Sequence, residues 1–262
     1  MFEFHADRKR YFDIQLLNAE KYVLPFIESK FEIKKGMRVM EIGCGEGGVL
    51  KAFVDKDCTG VGVEFDLIRI ETGSHWLEED IRRGRISFVA KDIYDTNVEA
   101  LGGKFDIIVL KDVIEHIHDQ EKLLARLKDF LNPSGIIFFG FPPWQMPFGG
   151  HQQLSQTTLS KIPYFHLFPR TVYKGILKIF KEPEHVVNDL LEIKETGISI
   201  ERFEKVVKRT GYNVVSKTHY LFNPIYEYKF NLKPKKQNSI ISKIPYIRNF
   251  LTTCVYYIIE PA

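Results

Sequence analysis

Apolar positions along the chain fall into short blocks cut by glycine, proline and acid. Arg38 to Ile42 is brief, mostly apolar and preceded by Gly36, and it reads as a buried strand. It runs into Gly43-Cys44-Gly45-Glu46-Gly47-Gly48, after which Val49 to Val54 takes up a helical rhythm. Thr59 to Glu64 predicts a second strand, Ile86 to Ala90 a third, Phe105 to Leu110 a fourth and Ile136 to Phe141 a fifth. Before the fifth, Leu123, Leu124, Leu127, Phe130 and Leu131 mark the apolar face of a helix over Asp119 to Leu131, which Asn132-Pro133-Ser134-Gly135 ends. Repeated strand–helix units with short connections predict an α/β fold with a right-handed, doubly wound parallel sheet. Ahead of the sheet, Ile14, Leu17, Tyr22, Phe26 and Ile27 predict an amphipathic helical cap over residues 1–35, interrupted by Pro25. Glu201 to Arg209 reads as a late helix, and Asn213 to Leu221 and Phe250 to Ile259 as the last two strands.

Residues 143–195 do not fit the alternation. A Pro- and Gly-rich piece from Pro142 is followed by the aromatics Tyr164, Phe165 and Phe168, then by helix-like runs at Thr171–Phe180 and Pro183–Lys194. This stretch leaves the fifth strand at its carboxyl edge, where a loop on a rigid scaffold carries specificity. It is expected to form a helical lid over a substrate. Lys233, Lys235 and Lys236 read as a solvated face, and the apolar Ile240 to Ile247 region completes the lid or meets a partner.

The candidate chemistry begins at the glycine turn. Gly43, Gly45 and Gly48 fit the G-x-G-x-x-G spacing of dinucleotide sites. Glu41, two residues earlier, argues against a pyrophosphate there and favours a cationic ligand. Glu64, about twenty residues after the turn, is placed to accept hydrogen bonds from ribose hydroxyls, which suits NAD as well as other adenosine cofactors. Asp66 is a candidate cap for the helix that follows it. Asp92 closes the third strand as either a cap or a ligand.

Two blocks carry a resemblance. Glu41-Ile42-Gly43-Cys44-Gly45-Glu46-Gly47 resembles the first motif of class I S-adenosylmethionine (SAM)-dependent methyltransferases. Phe105 to Leu110 followed by Lys111-Asp112-Val113-Ile114-Glu115-His116-Ile117 resembles their fourth. The resemblance covers residues 36–142 strongly and 196–262 moderately, with the insertion outside it. It implies a Rossmann-like, mostly parallel seven-stranded sheet with an antiparallel strand at its edge. Glu41 would lie near the SAM amino group, and Gly43, Cys44, Gly45 and Gly47 around the methionine portion. Glu64 would hold the ribose, and Phe65 would pack on the adenine. Asp92 would accept the adenine amine and Ile93 would pack on the ring, with Asp112 and Val113 touching the cofactor. Tyr11, Gln15 and Tyr22 are candidates for the SAM carboxylate or for plain packing.

SAM already carries a good leaving group, so the protein's task is alignment, plus proton removal when a hydroxyl is the acceptor. His151, among glycines and amides, is the candidate general base because an imidazole titrates near physiological pH, and His116 is the second candidate. The uncharged aromatic lid favours O-methylation of a small-molecule or glycan acceptor, with a quinone-type C-methyltransferase as the alternative. An NAD-dependent oxidoreductase and a non-catalytic SAM-binding protein stand as rivals from other classes.

Composition narrows this only a little. A net charge of +3 without a basic, aromatic groove argues against nucleic acid. Cys44, Cys58 and Cys254 lack C-x-x-C spacing, so neither disulfides nor a metal site is expected, and a reducing cytoplasm fits. The charged start, with Glu3, Asp7, Arg8, Lys9 and Arg10, does not read as a secretory leader, and no integral membrane segment is expected.

Overall fold

β1 (Arg38–Ile42) lies inside an eight-stranded sheet, between β2 (Thr59–Glu64) and β4 (Phe105–Lys111), and pairs parallel with both. This is a computed structural model, and it describes residues 7–262. The first six residues of the expected cap, Glu3 among them, lie outside the described residues. β3 (Ile86–Ala90) extends the sheet beyond β2, and β5 (Leu131–Phe141) pairs parallel with β4. β6 (Tyr212–Phe222), β7 (Lys235–Lys236) and β8 (Cys254–Pro261) complete the order β3-β2-β1-β4-β5-β8-β6-β7. The strand order reverses between β1 and β4, and ligands of such sheets bind in the crevice at that reversal.

Two details differ from the sequence expectation. The sheet has eight strands rather than seven, because Lys235 and Lys236 form a two-residue strand against β6. Nothing apolar marks so short an edge strand. The antiparallel β8 also sits inside the sheet, between β5 and β6, rather than at its edge.

Strict alternation buries both faces. Ile108 and Leu110 of β4, Phe139 and Phe141 of β5 and Tyr257 of β8 enter one core. Ile107, Val109, Phe138 and Tyr256 enter the other. Helices cover each side, as a buried parallel sheet requires. Gln120–Phe130 and Ile200–Arg209 lie on the first face, while Gly48–Val54 and the N-terminal cap lie on the second. The cap is an α-helix (Arg8–Asn18), a π-turn (Ala19–Val23) and a short helix (Leu24–Glu28). Pro25 lacks an N–H and crowds the carbonyl one turn earlier, so the ladder loosens just ahead of it instead of breaking.

The stretch after β5 has a small core of its own, in which Tyr173 and Leu177 of helix Arg170–Ile179 meet Val187 and Leu190 of helix Glu184–Thr196. Between the helices, Glu182 is buried and accepts from Ser155 Oγ, from Thr157 Oγ1 at 2.5 Å and from Gln156 N at 3.0 Å. Glu182→Ala strands these donors. It is expected to destabilise this stretch by about 2–3 kcal/mol. Limited proteolysis should show cleavage between residues 150 and 190 while the sheet stays resistant, and unaltered protection would contradict the role given to Glu182.

Candidate active site

The turn after β1 is built on glycines that other residues could not replace cheaply. Gly43 and Gly45 have φ of +64° and +54°. A Cβ on Gly43 would lie 2.6 Å from Val113 Cγ2, and one on Gly45 would lie 2.4 Å from Arg69 Nη2. Gly47 caps helix Gly48–Val54 at φ +85°. The turn thus passes the crevice without a Cβ at these positions, and its Gly43 and Gly47 N–H groups donate to Val63 O at 2.8 Å and Cys44 O at 2.9 Å.

Three carboxylates surround this turn. Glu41 is buried, and its Oε2 accepts from Leu50 N at 2.9 Å, at the start of the helix. Burial pushes its carboxyl up to about 8, against the pull of that bond and of nearby Lys111 and Arg69. Glu64, also buried, accepts from Gly45 N at 3.0 Å, Phe65 N at 2.9 Å and Asp66 N at 3.1 Å, which ties the ends of β1 and β2 together. Glu46 pairs with Arg69 at 3.0 Å, and the guanidinium lies over Gly45.

Glu41, Gly43, Cys44 and Asp112 line one cavity of about 90 Å³, together with Tyr11 and Lys111. A second hollow of about 310 Å³, lined by Arg8, Tyr11, Glu46 and Arg69, shares its last three residues with the first. Gln15 also lines the inner cavity and donates to Tyr11 Oη at 2.9 Å, whereas Tyr22 points elsewhere and donates to Glu227.

The adenine-side candidates are more dispersed. Phe65 is 80 % exposed at the end of β2, an open ring beside the crevice. Asp66 caps helix Leu67–Trp76 through Ile68 N at 2.9 Å. Asp92 is exposed and caps the turn Ile93–Asp95 through Tyr94 N at 2.9 Å. Ile93 is buried in the first core and presents no open face.

Asp112 has φ +57°, and Lys111 Nζ lies 2.5 Å from its carboxylate. Lys111 holds Asp112 below the usual carboxylate range even though burial pushes the other way. After Val113 comes the 3-10 turn Ile114–His116. Its Glu115 is buried, and both carboxylate oxygens lack a hydrogen-bond partner. The rings of His116 and His151 stack with centroids 4.8 Å apart and planes 6° from parallel. Ligand atoms of Glu115, His116 and His151 all lie within 4.8 Å of one another. His151, at φ +50°, is held by its loop. Neighbouring Gly150 packs on His166, which donates from Nε2 to Trp144 O at 2.7 Å while its Nδ1 accepts from Gln152 Nε2 at 2.8 Å.

The two histidines thus come together, but not as bases tuned to physiological pH. Burial and the adjacent ring push His151 down to about 3, and burial lowers His116 as well. An imidazole so depressed is a weak proton acceptor. The loop's own packing, invisible in composition, is the reason.

Sequence reasoning missed Arg69, Lys111 and Lys229 at this site. Lys229 lies 5.0 Å above the Tyr11 ring, and burial pulls it down to about 8. A lysine closing the apolar run Ile107–Leu110 of β4 was a legible signal for Lys111. Arg69 and Lys229 approach through tertiary folding alone.

Comparison with known proteins identifies the family and the fold. Residues 16–176 match the profile of a methyltransferase-domain family. A ubiquinone biosynthesis O-methyltransferase of Actinobacillus pleuropneumoniae is 28 % identical over 131 residues, 48 % of this chain and 53 % of that protein. A sterol 24-C-methyltransferase of Debaryomyces hansenii is 28 % identical over 122 residues, 46 % of this chain and 31 % of that protein. The chain thus spans about half or less of the length of these curated relatives. Among solved structures, an S-adenosylmethionine-dependent methyltransferase from Clostridium acetobutylicum superposes with TM-score 0.58 at 11 % identity, covering 94 % of this chain and 92 % of that one. A phosphoethanolamine N-methyltransferase from Haemonchus contortus gives 0.55 at 16 % identity, covering 91 % and 52 %. The chain belongs to the methyltransferase-domain family and has the Rossmann-like fold of the class I SAM-dependent methyltransferases.

Proposed function

We propose that this chain moves a methyl group from SAM to a small-molecule or sugar acceptor, with an oxygen as the favoured target. The observation that carries the reading is the meeting of Glu41, the glycine turn and Asp112 on one cavity at the strand-order reversal. When bound, SAM supplies an electrophilic methyl on a sulfonium. The residues fit that group. Glu41 offers a carboxylate to its ammonium, and Glu64 keeps lone pairs for ribose hydroxyls beyond the three amides it already accepts from. Phe65 offers an open ring to the adenine, and Asp92 a carboxylate to its amine. Arg69 lies over the turn and has to swing aside, which its long side chain allows. Tyr11 and Gln15 would then face the carboxylate end.

The acceptor would approach from the side of Glu115, His116 and His151. As its oxygen–carbon bond forms, the sulfur–carbon bond breaks, and the hydroxyl proton leaves to solvent. The chain aligns the two partners, which is where much of the acceleration in such a displacement comes from. The stretch of residues 143–195 would cover the acceptor. Among the described residues no helix is long and apolar enough to cross a membrane. A C-methyltransferase is the second reading, favoured by the sterol 24-C-methyltransferase relative. Family membership sets aside the oxidoreductase suggested by the glycine spacing.

Transfer of labelled methyl from SAM to a panel of hydroxylated small molecules tests the proposal. His151→Ala should keep SAM affinity within about twofold and slow transfer about a hundredfold, through lost positioning of the acceptor. Equal turnover in wild type and variant would remove His151 from the transfer step. SAM binding with no acceptor methylated at all would favour a non-catalytic SAM-binding protein.

A further inference from the structure

Glu115 is the least satisfied group in the crevice. Both of its oxygens and Nδ1 of His151 are buried without a hydrogen-bond partner. Leaving a buried polar group unpaired costs about 1–3 kcal/mol, more when it is charged. The nearby cation Lys111 is already engaged by Asp112. Two imidazoles meet Glu115, His116 from the same turn and His151 from the loop after β5, and the Asp112 carboxylate lies near enough to add to the negative charge. Two imidazoles and one carboxylate, from the turn after β4 and the loop after β5, form a donor set for a divalent transition-metal ion, whereas magnesium and calcium favour all-oxygen sets. Ligands bound at about 2.1 Å can be no more than about 4.2 Å apart across the ion. The observed spread of 4.8 Å therefore has to contract, and one of the two near-parallel rings has to turn so that both nitrogens face the ion.

We propose that Glu115, His116 and His151 bind one divalent transition-metal ion at the carboxyl end of β4. Three protein ligands leave coordination positions open, as in catalytic rather than structural sites. On the methyl-transfer reading, on which this second step rests, an open position takes an oxygen of the acceptor. The acceptor class is then a compound with a metal-binding hydroxyl, such as a catechol or a vicinal diol. Metal coordination makes such a hydroxyl easier to deprotonate. The imidazoles then act as ligands instead of proton acceptors.

The test is a Co2+ titration of the chelator-stripped full chain, followed by visible absorption and calorimetry without SAM. One Co2+ should bind per chain, with d–d bands typical of mixed nitrogen and oxygen ligands. His151→Ala and Glu115→Gln should each weaken binding at least about tenfold. His116→Asn, on the short turn after β4, should do the same. Absence of Co2+ binding by folded wild type, or undiminished binding in both His116→Asn and His151→Ala, overturns the proposal. SAM titration of the same stripped protein is read separately. Failure of metal binding with SAM binding intact therefore leaves the methyl-transfer reading standing, and the converse leaves the metal site standing.

Discussion

Replacing Gly45 by valine is expected to weaken SAM binding more than about a hundredfold while the chain stays folded, equivalent to about 3 kcal/mol. The position has φ +54°, which costs an L-residue about 1–2 kcal/mol and a β-branched one more. The nearest obstacle to the new side chain is the far end of Arg69, so the sheet and both cores need not move. What is lost is the open backbone at the turn and the geometry of the Gly45 N–Glu64 bond. Calorimetry for SAM, with circular dichroism to establish folding, reads both halves. A folded Gly45→Val chain with wild-type affinity would place the cofactor elsewhere.

The second large effect is a pH dependence carried by Glu41. Its carboxyl sits at about 8 in the folded chain against an ordinary 4.5, because burial disfavours the charge. Between those values the folded state holds a proton that the unfolded state has released. Stability therefore falls as pH rises from about 4.5 to about 8, by at most about 1.4 kcal/mol per pH unit, and levels off above. Glu41→Gln removes this slope, so urea denaturation across that window should diverge between the two proteins. Saturating SAM should flatten the wild-type slope as well, since an ammonium beside Glu41 favours the ionised form. Parallel pH profiles for wild type and Glu41→Gln would refute the assignment.

Much of this was legible in the chain. Short apolar runs fix the inner parallel strands β1, β2 and β4, which are buried on both faces along most of their length. The glycine turn was legible because only glycine accepts those dihedrals at no cost. Asp112 and Glu41 were legible as acids at the ends of apolar strands. The two-residue β7 was not, since Lys235 and Lys236 carry no pattern. Asp92 was legible as an acid at the end of β3, where its side chain caps the turn Ile93–Asp95. The Glu115–His116–His151 cluster was missed as a cluster because it joins positions 35 residues apart through a loop whose course depends on His166 and Trp144 packing. The same burial that assembled it removed the basicity expected of His151.

The most direct measurement is a calorimetric titration of the purified chain with SAM, S-adenosylhomocysteine and NAD in turn. Both sulfur nucleosides should bind, NAD should not, and Glu41→Ala should lose both. Binding of NAD alone, or SAM binding undiminished in Glu41→Ala, would contradict the placement of SAM beside Glu41.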